Sequence, residues 1–117
     1  METRERLERI VVGTLLNERQ GDGFYKKNKA SLKKDVFSDK RNAFIFGILE
    51  KMHADGIETT TPYDVVSYCK EKGIKYGNPA NFAVYMCEIC ESYAFLSLKS
   101  YVKELVQYYV KEKKNGK

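Results

Sequence analysis

The sequence predicts an all-α fold, a small bundle of about six helices that ends in a helical hairpin. Apolar residues recur at three- and four-residue steps, as in Leu7, Ile10, Val11 and Leu15 and again in Phe44, Ile48, Leu49 and Met52. That spacing puts each set on one helix face. No stretch alternates with period two for five residues between turn signals, as a half-buried strand would. Residues that start and stop helices also punctuate the chain at helix-length intervals.

The first helix is expected over about residues 2–17, carried by Leu7, Ile10, Val11 and Leu15. A looser segment from Gly21 to Lys34 follows, with a short helix in it. Ser38-Asp39 opens a helix near 39–54 and Gly56 closes it. Thr61-Pro62-Tyr63-Asp64 combines a hydroxyl at the N-cap, a proline where no amide hydrogen is needed and a carboxylate at the third helical position. A helix therefore runs over 62–72, and Gly73 ends it by adopting a left-handed conformation. Asn78-Pro79 repeats the start signal for a helix over 79–92, and the last helix covers 97–113.

The final pair of helices is more apolar than a surface helix needs. At 100° per residue, Tyr101, Val102, Leu105, Val106, Tyr108, Tyr109 and Val110 spread over an arc of about 200°, twice the stripe that covers one core. Phe82, Tyr85, Met86, Cys87, Ile89, Cys90 and Tyr93 cover a similar arc. The expected domain is therefore single, with a head over about 1–76 and a hairpin over about 77–114 turning through 91–97. The expected dimer interface consists of Phe82, Tyr85, Met86, Ile89, Tyr93, Phe95, Tyr101, Val102, Leu105, Tyr108 and Tyr109. Tyrosine suits such a face because it tolerates partial burial.

Composition bounds the rest. The chain has 117 residues, 43% hydrophobic and 32% charged, enough apolar content to fill one core. Disorder and collagen-like repeats are excluded on that balance. No run approaches the roughly 20 apolar residues of a membrane span. The opening Met1-Glu2-Thr3-Arg4-Glu5-Arg6 lacks the apolar stretch of a secretory signal. With three Cys, an odd number, and no Asn-x-Ser/Thr acceptor, a cytoplasmic, reduced protein is expected.

Catalytic constellations are scarce, and the chain is expected to be no enzyme by itself. His53 is the only His, and is expected to sit partly exposed at a helix C-terminus where the dipole favours it. Cys87-x-x-Cys90 falls inside a helix, whereas a redox pair sits at a helix N-terminus that lowers the thiol pKa. Those two with Cys69 and His53 could supply four zinc ligands, but without the two close-spaced pairs of a structural site. They are expected to be small buried hydrophobes, with no metal and no cofactor. No Gly-x4-Gly-Lys-Ser/Thr loop is present, and Gly21-Asp22-Gly23 lacks the third Gly of a dinucleotide site.

The formal charge is +5. Residues 21–40 hold six Lys against three Asp, and the tail adds Lys111, Lys113, Lys114 and Lys117. Lys26, Lys27, Lys29, Lys33 and Lys34 are the candidate nucleic-acid contacts, offering phosphate attraction without base readout. The helix after Thr61 is a poor groove reader, since it exposes Asp64, Ser67, Lys70 and Glu71 and holds no Arg, Asn or Gln. Any DNA contact is expected to be weak or indirect.

Glu8-Arg9-Ile10-Val11-Val12-Gly13-Thr14-Leu15-Leu16 resembles the opening helix of the N-terminal domain of DnaB-type replicative helicases. The likeness resumes in register with Phe37-Ser38-Asp39, Ile45-Phe46, Ile48, Met52 and Gly56. It continues through Val65, Gly73, Gly77, Phe82, Tyr101, Val102 and Leu105, covering nearly the whole chain. Asn42, Thr60 and Ser97 stand where that family usually has His, Asp and Asn, which changes local caps and polar contacts but not helix order.

The resemblance implies a helical head plus hairpin that pairs with a neighbour, builds a collar above a RecA-like motor and receives primase or a helicase loader. In the parent helicase the paired domains would belong to a hexameric ring. The ATPase motor itself has no counterpart in these 117 residues. Two further readings suit the same residues: a small helical DNA-binding or regulatory protein, and the helicase-binding domain of a primase.

Overall fold

The structure is a computed structural model that describes residues 3–19, 21–90 and 98–116. It is an all-helical bundle: α1 (Arg4–Leu15), α2 (Gly21–Asn28), a 3-10 turn (Lys34–Val36), α3 (Lys40–Ala54), α4 (Pro62–Lys72), α5 (Pro79–Ile89) and α6 (Leu98–Gly116). Among the described residues no strand occurs, and no helix is long and apolar enough to cross a membrane. The expected turn of the hairpin, with Tyr93, Phe95 and Ser97, lies outside the described residues.

The caps follow the sequence closely. Thr61 and Asp64 form a full capping box, each side chain accepting from the other's backbone amide, with Pro62 in the first turn. Gly73 closes α4 at φ 67°, and Gly56 follows α3 at φ 83°. Asn78 caps α5 by accepting from the Asn81 amide, and Asp39 caps α3 by accepting from the Arg41 amide. The segment expected to be loose resolves into α2 and the 3-10 turn, with Phe24, Leu32 and Val36 all buried.

One core runs through the bundle. Leu7, Val11 and Leu15 of α1 meet Ile45, Phe46 and Leu49 of α3, Val65 of α4, Met86 and Ile89 of α5, and Leu105 of α6. The most extensive interhelical contact is between α1 and α6, while α5 packs on α1 and α4. Head and late helices thus share one core, and the expected hairpin is corrected: among the described residues α5 and α6 close on α1 and not chiefly on each other.

A buried polar chain crosses this core. Glu8, fully buried on α1, accepts from Ser38 N (2.8 Å), Ser38 Oγ (2.6 Å), Asp39 N (3.1 Å) and Asn42 Nδ2 (3.1 Å). The Asn42 carbonyl accepts from the Tyr85 hydroxyl on α5. On the other side of Glu8, Arg4 Nε lies at 3.4 Å, and the same guanidinium donates to the Val36 carbonyl (2.9 Å) and to Glu112 of α6 (3.1 Å). Such a charge is tolerable inside because its lone pairs are taken up by donors and a cation.

Candidate interaction surfaces

The residues expected to pair two chains divide sharply. Phe82, Tyr85, Met86, Ile89, Val102 and Leu105 are buried in the chain's own core, so they are not free to meet a partner. This corrects the width of the expected face. The α6 arc closes on α1, and the α5 arc on α1 and α4, so most of the apolar surplus is absorbed within the chain. Tyr101, Tyr108 and Tyr109 are half-buried and pack on the core edge, with Lys113 Nζ 5.7 Å above the Tyr109 ring. Tyr93 and Phe95 lie outside the described residues.

What remains outward on α6 is a narrower strip. Val106, Tyr108 and Val110 line a groove of about 350 Å³ together with Glu104, Gln107 and Lys111. Val110 is 46% exposed there, and Val84 on α5 is 57% exposed. Single exposed apolar residues are ordinary on a surface, but a lined concavity between opposite charges is a feature that a partner can use.

The lysine segment is less basic in space than in sequence. Lys26 bridges Asp22 (3.0 Å) and approaches Glu58 (3.7 Å), which raises its pKa, chiefly through the Asp22 hydrogen bond. The stem of Lys34 lies 3.7 Å from where a Gly47 side chain would begin, and its charge faces Glu50. Lys27, Lys29 and Lys33 are exposed. All five lysines are thus exposed, with the charge of Lys26 offset at the surface by Asp22 and Glu58 and that of Lys34 facing Glu50.

The last turn of α3 holds a second concavity, of about 270 Å³, lined among others by Asp22, Tyr25, Lys26, Lys29, Glu50, His53, Ile57 and Glu58. His53 is intermediate in exposure at the end of α3, as expected, with its side chain 8% exposed. The imidazole stacks flat on Tyr25, with ring centroids 3.9 Å apart and planes 2° from parallel. Nδ1 is 3.5 Å from Asp22 Oδ1, and Nε2 is buried with no hydrogen-bond partner among the described residues. Burial, reinforced by Lys26 and Lys29 and opposed by Asp22, holds the His53 pKa below its ordinary value.

The cysteines stand apart from that ring. Cys69 is buried in the core, and burial pushes its thiol pKa up. Cys87 is exposed, and Cys90 is half-exposed with its thiol donating to the Cys87 carbonyl (3.1 Å). Among the described residues no three His, Cys, Asp or Glu are grouped to hold a metal ion.

Sequence reasoning missed two features: the Glu8 junction and the Tyr25–His53 stack. Glu8 had a readable signal, since it lies four and seven residues before Val12 and Leu15 and so shares their apolar face. The stack had none, because it joins α2 to α3 across 28 positions of sequence. Comparison of the chain with family models, with curated proteins and with solved structures finds no match.

Proposed function

We propose that the chain is an assembly module that pairs with a second copy along α6 and docks a protein partner, in the manner of the N-terminal domain of DnaB-type replicative helicases. The observation that carries the pairing is the α6 groove, where exposed Val110 joins Val106 and Tyr108, which are half-buried at the core edge. Glu104 and Lys111 flank it at equal distances from the midpoint between Gln107 and Tyr108. A second α6 laid antiparallel about a two-fold at that midpoint sets each Glu104 opposite the Lys111 of the other copy, as an isologous interface requires.

The helicase-like part of the reading is supported by the Glu8 junction. Glu8, Ser38 and Asp39, which carry the resemblance, and Asn42, which departs from it, meet at that one buried site. The role is assembly and not bond chemistry: pairing brings copies together, and a ring of copies holds primase or a loader by effective concentration.

A strip on one helix covers less than the roughly 800 Å² per partner of a standard interface, so the isolated pairing is weak. Sedimentation equilibrium from about 5 to 500 μM tests it, in the weak-interface regime. A concentration-dependent dimer that Glu104→Lys weakens and that Glu104→Lys with Lys111→Glu restores is the expected result. A strict monomer across the range refutes the pairing. Failure of a ring-forming parent protein to retain its cognate primase refutes the docking role.

A further inference from the structure

We infer that Cys87 and Cys90 form a peroxide-responsive thiol pair at the end of α5, which closes reversibly to an intrachain disulfide. Cys87 is exposed and Cys90 half-exposed, so an oxidant reaches the pair from solvent and meets Cys87 first. Cys69, the remaining thiol, is buried in the core, and burial pushes its pKa up, which takes it out of the reaction. Neither Cys87 nor Cys90 is among the described residues that line the α6 groove, so the inference stands apart from the pairing.

The backbone sets the two sulfurs within bridging range. Residues 87–89 are α-helical, and Cys90 continues the turn in 3-10 form at φ −67° and ψ −14°. Helical positions three apart have Cα atoms about 5 Å from each other, inside the roughly 4.4–6.8 Å that a disulfide spans. A 3-10 turn brings such side chains closer still, since positions three apart eclipse. The Cys90 thiol already leans over Cys87, donating to its carbonyl at 3.1 Å. Helical side chains point toward the N-terminus, so Cys87 has to turn back to complete the bond. The bridge therefore carries strain, and strained, exposed disulfides are the readily reduced ones.

With hydrogen peroxide as the oxidant the steps balance. The Cys87 sulfur attacks one peroxide oxygen, the O–O bond breaks, and a sulfenic acid forms as the peroxide is reduced to one water. The Cys90 sulfur then attacks the Cys87 sulfur, an S–S bond replaces the S–O bond, and hydroxide leaves with the Cys90 proton as a second water. Glutathione reverses the change by thiol–disulfide exchange. A helix C-terminus does not favour a thiolate, so the pair suits stoichiometric sensing and not turnover. Ile89, between the two, is fully buried, and the Cys90 amide donates to the Met86 carbonyl, so the bridge tightens a turn that the core already holds.

Treatment of the reduced full chain with hydrogen peroxide, followed by alkylation, tryptic digestion and mass spectrometry, tests the pair. No Lys or Arg falls between Lys75 and Lys99, so both cysteines lie in the peptide 76–99 and Cys69 lies in another. The 76–99 peptide should lose the mass of two hydrogens and resist alkylation, and excess glutathione should restore both thiols. In Cys90→Ser the sulfenic acid on Cys87 should persist and be captured by dimedone. A 76–99 peptide that stays reduced, a covalent link from Cys87 to Cys69 or to a second chain, sulfinic acid on Cys87 in place of the bridge, or a bridge that glutathione leaves intact each overturns the inference. So does a folded Cys90→Ser chain with no dimedone adduct on Cys87, and where that variant does not fold the 76–99 peptide of the unaltered chain decides.

Discussion

Glu8 and Ser38, 30 positions apart, are joined twice: the Ser38 amide and hydroxyl both donate to one oxygen of the buried Glu8 carboxylate, at 2.8 and 2.6 Å. This pins the entrance of α3 to the middle of α1. Removing the carboxylate takes the acceptor from two backbone amides and from the buried Asn42 amide, while Arg4 keeps the Val36 carbonyl and Glu112. Glu8→Ala should therefore cost about 3 to 5 kcal/mol, the range for breaking one side of a buried charged network. Glu8→Gln should cost less, since it retains one acceptor. Urea unfolding followed by circular dichroism measures both.

Two neighbouring glycines on α2 should respond in opposite directions. A Cβ on Gly21 would overlap the Leu15 carbonyl oxygen, which is backbone and already accepts from the buried Thr60 hydroxyl at 2.8 Å. Gly21→Ala should destabilise by roughly 1 to 3 kcal/mol, the ordinary cost of overpacking. A Cβ on Gly23 meets nothing within 4 Å, and Gly23→Ala should stabilise by up to about 1 kcal/mol through helix propensity. Thermal melts of the pair settle the contrast.

Core and groove on α6 should separate experimentally. Leu105 is fully buried, so Leu105→Ala should cost about 2 to 5 kcal/mol of folding stability. Val110 is outward, so Val110→Ser should change folding by less than about 0.5 kcal/mol while weakening the α6 pairing. Denaturant midpoints at low protein concentration give the first effect, and sedimentation at high concentration gives the second.

The capping box of α4 offers a smaller, cleaner change. Thr61→Ala removes the acceptor for the Asp64 amide and should cost about 1 kcal/mol. Amides of the first turn of α4 should lose hydrogen-exchange protection before those of its last turn.

Local signals carried the fold, and long-range ones carried the surfaces. Thr61-Pro62, Gly73, Asn78-Pro79 and Asp39 each act within a few residues, so each could be read from the chain, and the helices lie where they point. The apolar arcs on α5 and α6 were equally legible as arcs. Their use was not, because whether Met86 or Leu105 faces a core or a partner depends on where α1 lies, which no local pattern contains. The same limit hid His53: its position at the end of α3 was readable, and the Tyr25 ring that covers it was not. Likewise the lysine count over 26–34 was plain, while the pairing of Lys26 with Glu58 required the fold.

Arg4 and Glu112 meet across 108 positions, and the helices that carry them form the broadest contact in the bundle. During synthesis, the apolar face of α1 is thus made well before its covering helix. Until α6 arrives, Leu7 and Val11 lack part of their cover, and closing that long loop is a slow, non-local step. A chain without α6 leaves an open seam along α1, the kind of exposed apolar surface at which an element can be exchanged between copies.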